Sequence, residues 1–229
     1  MPSTAAATPP LAWQGSLLGG GPPGVDASFA SACRVELSDG AWVDLVPGWL
    51  GGADTLFDEL VASVAWRAHE MPMYDKVVAQ PRLSAWWGEG ERNPWPSAIP
   101  ALAEALTGRY GVAFDSLGAN LYRDGHDSVA WHGDRVYREQ DEALVAVLSL
   151  GSTHRFLLRP KGGGASRRFD PAPGDLLVMG GTCQRTWQHC VPKAASAGPR
   201  LSVTLRHRAP LVSGVQGAGV VGDVDGEAS

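Results

Sequence analysis

The feature that most narrows the fold of this chain is a change of rhythm at Gly111. Beyond it the sequence breaks into seven short β-rich runs, at 118–122, 128–132, 143–150, 153–159, 175–180, 185–190 and 200–207. Turn residues separate them, among them KGGG at 161–164 and APG at 172–174. Runs this short cannot bury a face unless they pair and stack. Many short strands after a helical region predict an antiparallel sandwich or barrel braced by helices. The expected class is α+β, mainly β.

Before Gly111 the period is helical. Leu56, Leu60 and Val64, with Phe57 and Val61, recur at the i, i+4 spacing of one buried face. They predict a helix from Asp54 to Met71, capped by Asp54 or Thr55. A second helix is expected from about Ser97 to Tyr110, with Pro100 in its first turn and Gly108 or Gly111 closing it. Residues 1–26, rich in Ala, Pro, Gly and Ser, read as a flexible leader, and the Gly- and Val-rich end at 210–229 as a disordered tail. The working domain is then 27–209. A chain of 229 residues fits one such domain, and no internal repeat is evident.

Composition excludes two classes. With 44% hydrophobic and 19% charged residues the chain carries enough apolar mass for a core, so general disorder is ruled out. The longest largely apolar run is Ala143–Leu150, whereas a membrane span needs about twenty residues. The N-terminus lacks the basic start and apolar core of an export signal. Cys33, Cys183 and Cys190 form no CxxC pair, which points to reduced thiols and a cytoplasmic setting, nucleoid-associated if bacterial. The net charge of −5 argues against a polyanion partner, but its distribution does not. Residues 151–208 hold ten Lys and Arg against Asp170 and Asp175, a net +8, while the remainder carries −13. Such a segment can make a local polyanion-binding face or a solvated surface with paired arginines.

Strand periodicity brings out the chemistry. In RLSVTLR, residues 200–206, Leu201, Val203 and Leu205 face one side and Arg200, Ser202, Thr204 and Arg206 the other. The two guanidiniums start about 20 Å apart along the strand, and with their inward reach they can hold both ends of a small dianion. The alternative is a half-exposed strand with solvated arginines. His132 and Asp134 likewise share a face. An imidazole and a carboxylate so spaced can chelate a metal that a later histidine completes, with His154, His189 and His207 as candidates. Two His and one carboxylate leave three open positions, which suits non-haem Fe(II) handling O₂ and a bidentate co-substrate.

PRLSAWWG (81–88), NLYRDGHDSVAWHGD (120–134), VAVLSLGSTHRFLLR (145–159), GDLLVMGG (174–181), WQHCVP (187–192) and PRLSVTLR (199–206) follow one another in an order and spacing that resemble the AlkB family. This is a family of Fe(II)- and 2-oxoglutarate-dependent nucleic-acid dealkylating dioxygenases. The resemblance covers about 60% of the chain, from Met71 to Arg208. It implies a double-stranded β-helix, the jelly roll that keeps its metal between two sheets, braced here by N-terminal helices. It also implies Fe(II), 2-oxoglutarate and O₂ as cofactors. By position, His132, Asp134 and His189 resemble the iron ligands. Arg200 resembles the partner of the distal 2-oxoglutarate carboxylate, and Arg206 the arginine near the chelating end. Asn120 and Tyr122 resemble the polar pair on the co-substrate, with Ser202 and Thr204 beside them.

Three departures bear on the substrate. Ser202 stands where the family usually has asparagine, and Val136 where base-reading relatives often carry an acid. The loop after PRLSAWWG lacks the Tyr-x-Tyr/Phe stretch that supplies a stacking ring in some relatives. Of nine tryptophans, Trp42 and Trp66 are expected in the core. Trp86, Trp87 and Trp95 are candidates for either lid packing or base contact. Arg82 is assigned to the substrate, and Arg167 and Arg168 are read as phosphate contacts or as plain solvated charge. Tyr74, with Met73 and Lys76, aligns with the loop that carries a wedge in duplex-acting relatives, and would either fill the gap left by a flipped base or pack against the first helix. Cys183 and Cys190 read as small buried residues. The implied reaction is oxidative demethylation of N-alkylated bases, releasing formaldehyde in repair of alkylated DNA, single- or double-stranded, or of RNA, by a monomer with no membrane partner. Rival readings are a hydroxylase or demethylase of a protein or small molecule, and a metal-free nucleic-acid-binding module.

Overall fold

In the computed structural model the described residues are 11–16, 19–73, 76–87, 94–134 and 142–207, with the backbone alone described for 71–73 and 76–79. In chain order the elements are β1 (Gly24–Val25), β2 (Cys33–Glu36), β3 (Ala41–Val46), β4 (Leu50–Gly51), α1 (Ala53–Ser63), β5 (Arg67–Met73) and β6 (Lys76–Trp87). After these come α2 (Ile99–Tyr110), β7 (Ser116–Tyr122), β8 (Val129–His132), β9 (Val145–Gly151), β10 (Phe156–Pro160) and β11 (Arg167–Phe169). The last four are β12 (Leu176–Gly181), the single turn α3 (Cys183–Thr186), β13 (Trp187–Val191) and β14 (Arg200–Arg206).

Eight strands form one sheet in the order β2-β3-β12-β9-β14-β7-β6-β5, and four form a second, β11-β10-β13-β8. Every strand pairing is antiparallel. The large sheet buries both of its faces, each with a different partner. Leu83, Leu121, Leu148, Val178, Leu201, Val203 and Leu205 face a cluster with Leu56, Leu60, Leu102 and Leu106 of the two helices. On the opposite face Tyr122, Val147, Leu177 and Met179 meet Phe156, Leu158, Trp187 and Val191 of the small sheet. That two-layered strand core is the expected jelly roll, braced by helices on one face. β14 runs through its centre, buried on both sides. The picture of a half-exposed strand with solvated arginines is thereby excluded.

The N-terminal half differs from the sequence expectation. The first helix ends at Ser63 rather than Met71, because Val64 already has extended backbone (φ −84°, ψ 134°). The chain then turns into β5, which pairs with β6 to lengthen the large sheet. Pro72 in this segment is incompatible with a continuing helix interior. β2 and β3 were not anticipated either. Asp44 interrupts the apolar run of β3, yet it is buried where Arg34 grips it through two bonds of 2.7 and 2.8 Å and the Tyr110 hydroxyl adds a third at 3.0 Å. Asp54 does not cap α1, whose N-cap is Gly52. Its carboxylate instead accepts the Ser16 amide at 2.6 Å, and its own amide donates to the Gly19 carbonyl at 3.1 Å. Trp13 packs on Phe57 with ring centroids 4.6 Å apart. Residues 11–16, read from composition as part of a loose leader, therefore pack across α1. Trp66 is in the core, and Trp42 lies against it beneath the Arg34 guanidinium, 3.7 Å from the ring. Cys183 and Cys190 are buried and free, and Cys33 is exposed. Residues 1–10, the tail from 210, Tyr74 and Val136 lie outside the described residues.

Candidate active site

Cross-strand pairing assembles the polar cluster. On the small sheet His132 of β8 sits directly opposite His189 of β13, with ring centroids 4.2 Å apart. Asp134, two residues on, brings its Oδ2 to 3.8 Å from His189 Nε2. The possible ligand atoms of His132, Asp134 and His189 all lie within 4.8 Å of one another, the separation expected of groups around one ion. His132 Nδ1 is 2.8 Å from the Ala130 carbonyl, which takes its proton and leaves the other ring nitrogen with a lone pair for a metal. The other two candidates are committed elsewhere. His154 Nε2 donates to the Gly198 carbonyl at 2.8 Å, and His207 Nδ1 to the Ala113 carbonyl at 2.9 Å.

Asp134 and His189 are held in the protonation state that a metal would need. Burial raises the Asp134 carboxyl, but Arg206, His189 and His132 together outweigh it and the net direction is down. The group stays a carboxylate. Burial first, then His132 and Arg206, against the pull of Asp134, depress His189 to about 4, so its ring is neutral with a free electron pair. Arg206 Nη2 donates to Asp134 Oδ1 at 2.7 Å, and the Asp134 amide donates to Gln184 Oε1 at 3.0 Å. These bonds orient the carboxylate while Oδ2, buried, has no hydrogen-bond partner. A buried carboxylate oxygen aimed at two imidazoles and bonded to nothing is costly unless a cation joins it.

The opposite wall belongs to the large sheet. Its register places Arg82, Tyr122 and Arg200 in one row, and Ser84, Asn120, Ser202 and Ser149 in the next. Arg200 is 1% exposed and gives Nη2 to Ser149 Oγ at 2.9 Å, whereas its Nε and Nη1 are buried without partners. Burial lowers its pKa, opposed by Tyr122. Arg206 Nη1 is also buried without a hydrogen-bond partner. Two guanidiniums with donors to spare thus line the cavity that holds the three candidate ligands. Asn120, Tyr122 and Ser202 line it too; Thr204 is buried in the same strand but is not among the lining residues. Tyr122 is itself pushed up by burial, so its phenol remains protonated.

The remaining substrate candidates separate. Arg82 donates through Nε to Asn120 Oδ1 at 3.1 Å, where Ser84 Oγ also bonds at 2.9 Å, so it supports the wall beside the cavity. Trp86 shares the face of Arg82 and Ser84, is 45% exposed, and lies with its ring 5.1 Å from the Arg206 guanidinium. Trp87, one residue on, points the other way and is 8% exposed in the helix-facing core. Trp95 packs against that same core. Of the three, all expected equally to contact a base, Trp86 is the exposed one and Trp95 is half-buried, and neither is among the residues lining the cavity; strand parity could have separated Trp86 from Trp87. Arg167 and Arg168 are exposed on the edge strand β11, away from the cavity lining, and Arg168 pairs with Asp170 at 2.7 Å. Gln184 was not foreseen as a support, since its sequence signal is a lone amide in a turn.

A buried and a half-buried imidazole, a carboxylate and two spare guanidiniums thus meet between two antiparallel sheets. Residues 45–206 match the 2OG-Fe(II) oxygenase superfamily. The Bos taurus protein called alpha-ketoglutarate-dependent dioxygenase alkB homolog 3 is 35% identical over 186 residues, covering 72% of this chain and 65% of that protein. The Arabidopsis thaliana DNA oxidative demethylase ALKBH2 is 31% identical over 194 residues, covering 66% and 61% respectively. This chain thus spans less than two thirds of the length of those two relatives. Among solved structures, a prolyl hydroxylase from Trichoplax adhaerens, in complex with a hypoxia inducible factor oxygen degradation domain peptide fragment, superposes with a TM-score of 0.53 at 16% identity. It covers 72% of this chain and 83% of its own, and shows a shared fold. The chain belongs to the 2OG-Fe(II) oxygenase superfamily and, within it, to the AlkB family. Fe(II), 2-oxoglutarate and O₂ are the cofactors that this membership entails, and the orphaned donors described above fit the first two.

Proposed function

We propose that the chain is an Fe(II)- and 2-oxoglutarate-dependent dioxygenase that demethylates N-alkylated bases in DNA. The observation that carries the reading is the set of buried polar atoms without partners: Asp134 Oδ2 beside two histidines, and the spare donors of Arg200 and Arg206 in the same cavity. His132, Asp134 and His189 would hold the ferrous ion. Arg200, closed in by Tyr122 and Ser149, would take the distal carboxylate of 2-oxoglutarate through its planar fork. Arg206, Asn120 and Ser202 would flank the rest of the co-substrate, and Arg206 meanwhile fixes the angle of Asp134. When bound, iron with 2-oxoglutarate and O₂ supplies one oxygen atom to succinate, with loss of CO₂, and the other to the N-methyl carbon. The hydroxymethyl product then releases formaldehyde and the base is restored.

Nucleic acid is favoured by the relative named as a DNA oxidative demethylase, by the basic 151–208 segment and by Trp86. An exposed indole beside Arg206 offers a planar base a stacking surface worth about 1–3 kcal/mol. Arg167 and Arg168 are candidate phosphate contacts at the edge of the small sheet. Among the described residues no helix is long and apolar enough to cross a membrane. A monomeric cytoplasmic enzyme, with RNA as an alternative substrate, completes the reading. The net charge of −5 favours the second reading, hydroxylation of a protein or small molecule. Mass spectrometry of N-methylated oligonucleotides incubated with protein, Fe(II), ascorbate and 2-oxoglutarate separates the two. Loss of one CH₂ unit, about 14 Da, from DNA or RNA supports the first, and unaltered oligonucleotides favour the second.

A further inference from the structure

Gly118 lies in the middle of β7, directly opposite Trp86 of β6 and Thr204 of β14. Its backbone is not in the left-handed region, so nothing in its dihedral angles calls for glycine. A glycine inside a strand weakens it, and is tolerated where something else must come close. Here that neighbour is the indole. A Cβ built on Gly118 would stand 2.8 Å from both Cε3 and Cζ3 of Trp86 and 3.3 Å from Arg206 Nη1. The first two distances are well inside van der Waals contact, and an indole is rigid. Any side chain at position 118 would have to displace the ring. Trp86 in turn holds its ring 5.1 Å from the guanidinium that orients Asp134, at the inner face of the sheet and still 45% exposed.

We infer that Gly118 is a positioning residue for the substrate: its missing side chain lets the Trp86 indole lie across β7 over Arg206 as an aromatic surface beside the cavity. The inference rests on the proposed function for the identity of the planar substrate, but not for the placement of the ring. Gly118 touches neither metal nor co-substrate in this scheme and acts chiefly through Trp86, since the 3.3 Å approach to Arg206 Nη1 asks that guanidinium to give by only a few tenths of an ångström. Substitution there should raise the KM for an N-methylated oligonucleotide while leaving the co-substrate and metal steps nearly untouched.

Three measurements test this. In protein labelled with 5-fluorotryptophan, the ¹⁹F line of Trp86 is identified by its loss in Trp86→Phe. Gly118→Ala should shift that line, and an unmoved line overturns the placement whatever the enzyme's substrate. In turnover, Gly118→Ala should raise the KM for N-methylated oligonucleotide at least about fivefold. The affinity of Mn(II)-loaded protein for 2-oxoglutarate should change less than about twofold. In a Trp86→Ala background, adding Gly118→Ala should change the oligonucleotide KM less than about twofold, because the ring through which it acts is gone. Equal losses in both backgrounds overturn the inference, as does a loss confined to 2-oxoglutarate affinity. Gly118→Ala/Trp86→Phe, with a smaller ring opposite the added methyl, should fold and behave like Trp86→Phe alone; a double variant much worse than that also overturns it. If wild-type protein demethylates no oligonucleotide, the functional proposal fails while the ¹⁹F result still decides where Gly118 puts the ring.

Discussion

Position 200 offers a sharp separation of function from stability. Arg200 is 1% exposed, makes one bond to Ser149 Oγ, and leaves Nε and Nη1 buried without partners. A side chain kept only for the fold would not be left so. Arg200→Lys retains the charge but loses the planar fork, and so removes one of two charge-assisted hydrogen bonds to a carboxylate. Such a bond contributes about 1.5–3 kcal/mol, roughly a 10- to 150-fold loss of 2-oxoglutarate affinity. Arg200→Met removes the buried charge at similar volume. Replacing incompletely satisfied buried charge by a packed apolar chain is often neutral or stabilising, by about 1–4 kcal/mol. The apo protein should therefore keep or raise its Tm, by about 2–4 °C per kcal/mol in a chain of this size, while 2-oxoglutarate binding disappears. Calorimetric titration of 2-oxoglutarate into Mn(II)-loaded protein and thermal melts of the apo form provide the two readouts. An unchanged affinity in Arg200→Lys, or an Arg200→Met variant several degrees less stable, would refute the assignment of this guanidinium to the co-substrate.

His132→Ala, Asp134→Ala and His189→Ala should each abolish 2-oxoglutarate turnover with the fold retained; an active His189→Ala beside an inactive His154→Ala or His207→Ala would show that the wrong histidine has been chosen. Trp13→Ala should destabilise the protein by roughly 2–4 kcal/mol, since the ring on Phe57 anchors the strap over α1, and a melt unchanged from wild type would mean that the strap contributes nothing. His189 is held near 4 when folded against about 6.5 when unfolded. As pH falls from 6.5 towards 4 the unfolded chain therefore takes up a proton that the native apo protein refuses, and stability should drop by roughly 3 kcal/mol across that window. Urea melts at stepped pH should show that slope in the apo protein and a shallower one in His189→Asn.

Local spacing determined a good part of this protein. The change of rhythm at Gly111 announced seven strands, and β7 to β10 with β12 to β14 fall at or within a few residues of those runs, while the short edge strand β11 was missed. The i, i+2 relation was enough to put His132 with Asp134 and Arg200 with Arg206 on shared faces, because strand period is a property of the backbone alone. What lay beyond was everything set by pairing between distant segments. His154, His189 and His207 are equivalent to a reader of spacing. His189 alone lies across from His132 in the β13–β8 ladder, while the others meet the carbonyls of Gly198 and Ala113. β5 reads as a continuation of the first helix, since its strand character comes from pairing with β6 rather than from its own residues. Asp44 breaks the pattern of β3, and only the fold supplies the Arg34 and Tyr110 that make its burial tolerable. Composition likewise marked residues 11–26 as loose, until Phe57 and Asp54 gave Trp13 and Ser16 something to hold. Periodicity is carried by a few neighbouring residues, whereas register and burial are free-energy decisions taken by the whole chain at once.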